Sequence, residues 1–232
     1  MPKLQAVLFD LDDTLYPERS FVVSGFRAVA AWAAVKFNIP VSQGLAELTM
    51  LFDDGVRGNI FDIWLQNHGF KPHEWVPKMV TIYREHRPEI KPYPEVPQLL
   101  TVLKTKYKLG ILTDGPPKVQ KRKLEALDLS HYFSVCVISD EWGEKARKPS
   151  PIPYKIAVER LGISGSEAIY VADNPLKDFF GARQAGLKTV RVRRSDGLYR
   201  HFEAQAAEFA PDFEIPTLEN LVEIITAVNS KI

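Results

Sequence analysis

The chain has 232 residues, 45% apolar and 25% charged, an ordinary globular composition that excludes a fibre or a disordered protein. Thirty Lys and Arg nearly balance 29 Asp and Glu, so bulk charge gives no argument for a nucleic-acid or membrane partner. A single cysteine, Cys136, excludes an internal disulfide framework and is expected to pack as a core residue. No run approaches the ~20 apolar residues of a membrane span, and the N-terminal residues lack a secretion-signal pattern, so a cytoplasmic protein is expected.

In chain order, AVLF (6–9) reads as a short buried strand. It runs into DLDDT, which crowds Asp10, Asp12 and Asp13 together. Like charges this close are costly unless a cation, a proton or a ligand relieves them. From about 18 to 87 no strand pattern appears. The amphipathic runs FRAVAAWAAVKF, GLAELTMLF, IFDIWLQNHG and EWVPKMVTIYREH are divided by breakers at Asn38-Ile39-Pro40, Asp54-Gly55 and Gly69 to Pro72. That pattern predicts four helices. The following segment, RPEIKPYPEVP, holds Pro88, Pro92, Pro94 and Pro97 and is predicted to be a stiff connection.

Beyond it, the strand patterns KLGIL (108–112), SVCVI (134–138), AIYVA (168–172), KTVRV (188–192) and the short DFEI (212–215) follow. Between them, helical spacing occurs near 95–106, 117–128, 152–161, 176–185 and 217–229. Strands alternating with helices predict an α/β fold, a Rossmann-like parallel sheet with helices on both faces. The expected organisation is a core domain of 1–16 and 91–232, with a helical domain, 17–90, inserted after the first strand.

Ligands of parallel α/β sheets bind beyond the carboxyl ends of the strands. There the sequence places Asp10, Asp12, Asp13 and Thr14 after the first strand, and Thr113-Asp114-Gly115 at the second. Asp173 and Asn174 follow AIYVA, with Asp178 shortly after, and EKARKPSP supplies Lys145 and Lys148. Carboxylates, a hydroxyl and a lysine on one sheet edge suit phosphoryl transfer. A carboxylate can attack phosphorus and form an aspartyl-phosphate. Magnesium prefers oxygen ligands and bridges carboxylates to phosphate, and a lysine can balance the phosphoryl charge.

At these residues the sequence resembles the haloacid dehalogenase-like (HAD) hydrolase superfamily. DLDDT matches its first motif, ILTDG the strand ending in Thr or Ser, KPSP the motif-three Lys-Pro, and VADNPLKD the acidic fourth motif. The pieces stand in the family's order, and the helical insert lies where the C1 cap of subfamily I falls. The resemblance implies a phosphatase that uses Mg2+. Asp10 would be nucleophile and metal ligand; Asp12 would be the acid/base, its carbonyl also on the metal. Asp173 would be a further metal ligand, and Asp178 would support the metal directly or through its neighbours. Thr113 and the N–H groups of Asp114 and Gly115 would hold phosphate, Lys148 would bridge phosphate and Asp10, and Thr14 would steady the first loop. Substrate would enter between cap and core. Ala172 and Asp114 depart from the commonest glycine and asparagine; the second is expected to bear on substrate choice.

The implied substrate is a small phosphomonoester, with no nucleic acid or membrane partner, and monomer and homodimer both stay open. Dehalogenation is disfavoured by Asp12. A phosphomutase with the same core motifs, or a catalytically silent HAD-fold binding module, are the alternatives. Lys148 is preferred to Lys145 by its Lys-Pro context. Asp178 has a second reading, as a cap for the helix that follows. Asp13 is expected to be a solvated bystander, and the basic runs KVQKRK (118–123) and RVRR (191–194) solvated faces or strand ends. The five histidines show no metal-ligand spacing, and Trp32, Trp64 and Trp75 read as packing residues. Arg19, Arg57 and Asn59, in the helical insert, are candidates for substrate contact.

Overall fold

Uninterrupted apolar strands such as AVLF and AIYVA need cover on both faces, and the fold supplies it. The computed structural model describes residues 3–230. By contact density the chain divides into two compact units, Met1–Glu18 with Lys91–Ile232, and Arg19–Ile90.

The second unit is helical: α1 (Glu18–Phe37, whose first residue belongs to the other unit), α2 (Val41–Asp53), α3 (Ile60–Asn67) and α4 (Pro72–Glu85). Each helix ends at a predicted breaker. Phe26 packs edge-on against Phe52 and Phe61 and tilts against Tyr83, while Trp32 and Phe37 meet Trp75. Trp64 is buried and donates its indole N–H to Glu47, which also contacts His68. One expectation needs correction, because α1 is long and apolar enough, by length and composition, to cross a membrane. Its apolar residues Phe21, Phe26, Val29, Ala30 and Ala33 are buried in the folded chain, while Val35 is exposed.

The first unit is the α/β one. Its strands are β1 (Ala6–Phe9), β2 (Lys108–Thr113), β3 (Val135–Ile138), β4 (Ala168–Ala172), β5 (Lys188–Val192) and β6 (Phe213–Ile215). All pairings are parallel, in the order β3-β2-β1-β4-β5-β6. The accompanying helices are α5 (Val96–Lys104), α6 (Pro117–Ala126), α7 (Ile152–Leu161), α8 (Asp178–Gln184) and α9 (Leu221–Ser230). Alternate strand residues point to opposite faces. Leu8, Leu112, Val137 and Tyr170 form one face and pack with Tyr154 and Ala157 of α7 and Phe179 of α8. Their neighbours Val7, Phe9, Ile111, Ile169 and Val171 are equally buried on the other face.

The chain leaves β1 in one direction across the sheet and returns at β4 to continue in the other. This reversal opens a crevice beyond the carboxyl ends of β1 and β4. Register brings the crevice residues level. Phe9 pairs with both Ile111 and Val171, and the Asp10 N–H donates to the Val171 carbonyl at 2.9 Å.

Helix α8 approaches the segment after Lys148 too closely for a side chain. A Cβ on Gly181 would lie 2.4 Å from the Pro149 carbonyl oxygen and 2.6 Å from that of Ser150. Backbone has to shift to admit it. Gly181→Ala is therefore expected to destabilise the protein by about 1–3 kcal/mol, seen as a thermal midpoint several degrees lower.

Candidate active site

Three buried carboxylates meet at the crevice. Asp10 follows β1, Asp173 follows β4, and Asp178 opens α8. One carboxylate oxygen of each lies within 4.8 Å of the others. Between them sits Lys148, whose fully buried ammonium is 3.0 Å from Asp10 Oδ1 and 2.6 Å from Asp178 Oδ1. Tyr170 Oη accepts a further hydrogen bond from it at 3.1 Å. Lys145 is exposed, so the lysine chosen from the Lys-Pro context is the one at the cluster. Asp178 does more than face a helix end, because its Oδ2 accepts the Asn174 N–H at 2.9 Å while Oδ1 takes Lys148. The Thr14 hydroxyl reaches Asp173 Oδ1 at 3.4 Å.

Burial disfavours charge on this cluster, and one lysine does not balance three carboxylates. Asp10 is pushed up to about 6, chiefly by loss of solvent, with Lys148 opposing and Asp178 assisting. Asp173 is raised well above the carboxylate range by burial and by the charges of Asp178 and Asp10. Although burial alone would discharge Lys148, Asp10, Asp178 and Asp114 hold it protonated. An oxygen-only donor set with excess negative charge fits a hard divalent cation such as magnesium. Asp10, Asp173 and Asp178 are the side chains that would hold it.

The end of β2 forms the other wall. Thr113 is buried, and its Oγ1 accepts a hydrogen bond from Gln120 Nε2 at 2.6 Å. Asp114 accepts from the Ser139 hydroxyl at 2.6 Å and from the Lys148 N–H at 3.2 Å, and pairs with Lys177 at 3.1 Å. It thereby ties the Lys148 segment to the β2 end. Against the cost of burial, Lys148 and Lys177 hold Asp114 below the usual carboxylate range. Gly115 adopts φ +121°, a conformation glycine tolerates, and its N–H donates to Asp140 Oδ1 at 3.2 Å.

The Asp12 carboxylate turns toward α6. Oδ1 pairs with Lys123 Nζ at 2.7 Å and also accepts the Tyr16 hydroxyl, and Oδ2 accepts from Gln120 Nε2 at 3.1 Å. Burial opposes ionisation, but the charge of Lys123 and hydrogen bonds from Lys123, Tyr16 and Gln120 hold Asp12 below its ordinary value.

Two expectations are corrected here. Asp13 is no solvated bystander: it is 3% exposed and accepts N–H groups of Glu18 and Leu198, both at 2.7 Å. Its φ of +51° lies in the left-handed region. RVRR does lie at the end of β5, but neither basic run is simply a solvated face. Lys123 is buried against Asp12, and Arg191 is 1% exposed and donates from Nε to the Asp173 carbonyl at 3.1 Å. Arg194, also buried, donates to the Thr14 carbonyl at 3.2 Å and pairs with Glu95 at 2.8 Å. Sequence reasoning missed Gln120, Lys123, Arg191 and Arg194 as supports of the site. A signal for the first two existed, since Val119, Gln120, Lys123 and Leu124 share the buried face of α6. Two of the candidate contact residues of the insert have side-chain partners within the helical unit. Arg19 pairs with Asp53 at 2.7 Å, and Arg57 lies 3.8 Å over the Phe52 ring and donates to the Phe52 carbonyl. Asn59, exposed, precedes α3.

Over residues 7–192 the sequence matches the family model described as haloacid dehalogenase-like hydrolase. Glyceraldehyde 3-phosphate phosphatase of Methanopyrus kandleri is 35% identical over 231 residues, covering 96% of this chain and 97% of that protein. Phosphoserine phosphatase of Thermus thermophilus is 31% identical over 193 residues, covering 83% and 72%. Among solved structures, 2-haloacid dehalogenase from Pseudomonas syringae pv. Tomato DC3000 is similar with a TM-score of 0.66 at 25% identity, covering 97% and 99%.

The charge imbalance gives a pH dependence of stability. Asp10 rises from an ordinary 3.8 to about 6 on folding, so the fold favours its protonated form. That contribution is complete below about pH 4 and lost as pH rises through about 6. Asp173 is shifted in the same direction. Metal-free protein is expected to lose thermal stability across that window and to regain it with magnesium. Asp173→Asn is expected to flatten the loss and weaken the magnesium response, as read by thermal denaturation with and without a chelator.

Proposed function

We propose that this chain, which belongs to the haloacid dehalogenase-like hydrolase family and is a hydrolase of phosphate esters, works by a magnesium-dependent aspartyl-phosphate mechanism. The observation that carries the reading is the meeting of Asp10, Asp173, Asp178 and Lys148 at the reversal point of the sheet. Asp10 is the nucleophile; its oxygen lies beside a permanently charged ammonium that can accompany a phosphoryl group as it transfers. Thr113, whose oxygen already accepts from Gln120, keeps its hydroxyl hydrogen for a phosphate oxygen. Bound between the three carboxylates, magnesium would supply charge neutralisation and orientation of the phosphoryl group.

Asp12 is the acid/base, protonating the departing alcohol and then taking a proton from water. Its presence favours ester hydrolysis over dehalogenation, since a halide leaves without a proton. The helical unit Arg19–Ile90 serves as the cap, with Arg19, Arg57 and Asn59 as candidates for reading the substrate. A small phosphorylated metabolite in the cytoplasm is the proposed substrate. Glyceraldehyde 3-phosphate, from the name of the 35% identical relative, is the first to test.

A phosphometabolite panel with magnesium, read by released inorganic phosphate, tests the reading. Wild type is expected to release phosphate from at least one ester, and a chelator to stop it. Asp10→Asn should lower turnover by about 10³-fold or more while the circular dichroism stays native. Near-normal turnover by that variant would sink the mechanism.

A further inference from the structure

The acid/base is held by a set of donors that the four motifs do not contain. Gln120 and Lys123 stand three residues apart on the buried face of α6, at 1% and 5% exposure. Residues so spaced on a helix are neighbours, so a glutamine and a lysine share a face otherwise made of Val119 and Leu124. Burying polar groups there is costly unless each is partnered. Both find the partner that removes the cost in Asp12.

The donors are unevenly divided. Asp12 Oδ1 receives Lys123 Nζ at 2.7 Å and the Tyr16 hydroxyl, which together use the two lone pairs of a carboxylate oxygen. Among the described residues, Oδ2 receives the Gln120 amide alone, at 3.1 Å. Gln120 Nε2 also donates to Thr113 Oγ1 at 2.6 Å, so one amide sets the acid/base and the phosphate-side hydroxyl relative to each other.

We infer that Gln120 and Lys123 are positioning residues that fix the Asp12 carboxylate and leave Oδ2 as the oxygen that carries the proton. The inference rests on the phosphatase reading above. In the first step the Asp10 oxygen forms its bond to phosphorus as the ester P–O bond breaks. The bonding pair leaves with the alcohol oxygen, which takes from Asp12 Oδ2 the proton that the substrate, bound as its monoanion, has passed to that carboxylate. In the second step Oδ2 accepts a proton from water as its oxygen bonds to phosphorus. The P–O bond to Asp10 then breaks, and its pair returns to the carboxylate. Lys123 touches neither phosphorus nor the leaving oxygen; it sets the direction of the group that does.

Leaving-group dependence tests this. p-Nitrophenolate departs without a proton, whereas the phenolate of phenyl phosphate gains from one, and the two esters have similar shape. The ratio of their kcat/KM values does not depend on the fraction of enzyme that is folded. Lys123→Met and Gln120→Leu are each expected to lower kcat/KM for phenyl phosphate about tenfold more than for p-nitrophenyl phosphate. Lys123→Arg, which keeps the charge, should hold the ratio nearer to wild type. If wild type hydrolyses both esters and the variants leave the ratio unchanged, whether activity falls equally or not at all, the positioning inference is wrong. If wild type releases phosphate from neither these two esters nor any ester of the metabolite panel, the phosphatase reading fails and takes the inference with it.

Discussion

Lys148 places a positive charge, with no exposed side-chain surface, 2.6 Å from Asp178 and 3.0 Å from Asp10. Without it, three carboxylates would share one buried corner uncompensated, at a cost that would protonate them or open the fold. With it, the corner still carries more negative than positive charge, which is the condition a divalent cation needs. The ammonium thus permits the cluster to exist without filling the role of the metal. Its direction is set by backbone as well as by charge. The Lys148 N–H is fastened to Asp114 at the end of β2, and Gly181 of α8 lies against the two residues that follow.

The loops that carry the carboxylates are held from behind by a second set of charges. Arg191 leaves β5 and grips the carbonyl of Asp173, while Arg194 grips that of Thr14. Asp13 anchors the backbone of Leu198, so the segment after β5 is tied to the loop after β1 in both directions. Carbonyls and N–H groups at strand ends have lost the ladder of the sheet, and buried ones must be satisfied by something else. Here the groups that satisfy them also fix the aspartates of the site. Asp13 and Asp10 are three residues apart and do opposite work. One turns back to hold the scaffold, and the other faces the carboxylate cluster and Lys148.

The strands, the helices between them and the four helices of 18–85 were legible in the sequence, because their signals are local. Apolar runs of strand length, helical periodicity and proline or glycine breaks do not need the rest of the fold. The convergence of Asp10, Thr113, Lys148, Asp173 and Asp178 was legible for a different reason: each follows a strand or sits in a motif of recognisable order. Asp13, Arg191 and Arg194 were not, since a charged residue next to a turn or a strand end is ordinarily solvated. What buries them is the pairing of β1 with β4 and of β4 with β5, brought together from residues more than 150 positions apart for β1 and β4.

Lys123 marks the boundary between the two kinds of residue. Within KVQKRK the four basic side chains look alike, yet Lys118 and Lys121 are exposed while Lys123 is buried. The helix decides this, because only Lys123 shares the face of Val119 and Leu124 that turns toward the sheet. A charge on an apolar face is costly without a partner, so its presence there implies a carboxylate across from it. Helical phase therefore separates a lysine that pairs with Asp12 from its neighbours on the surface. The same reasoning extends to Gln120, one turn earlier, whose amide has two donors and meets two acceptors. On α6 the polar residues that matter are those the hydrophobic pattern had least reason to admit.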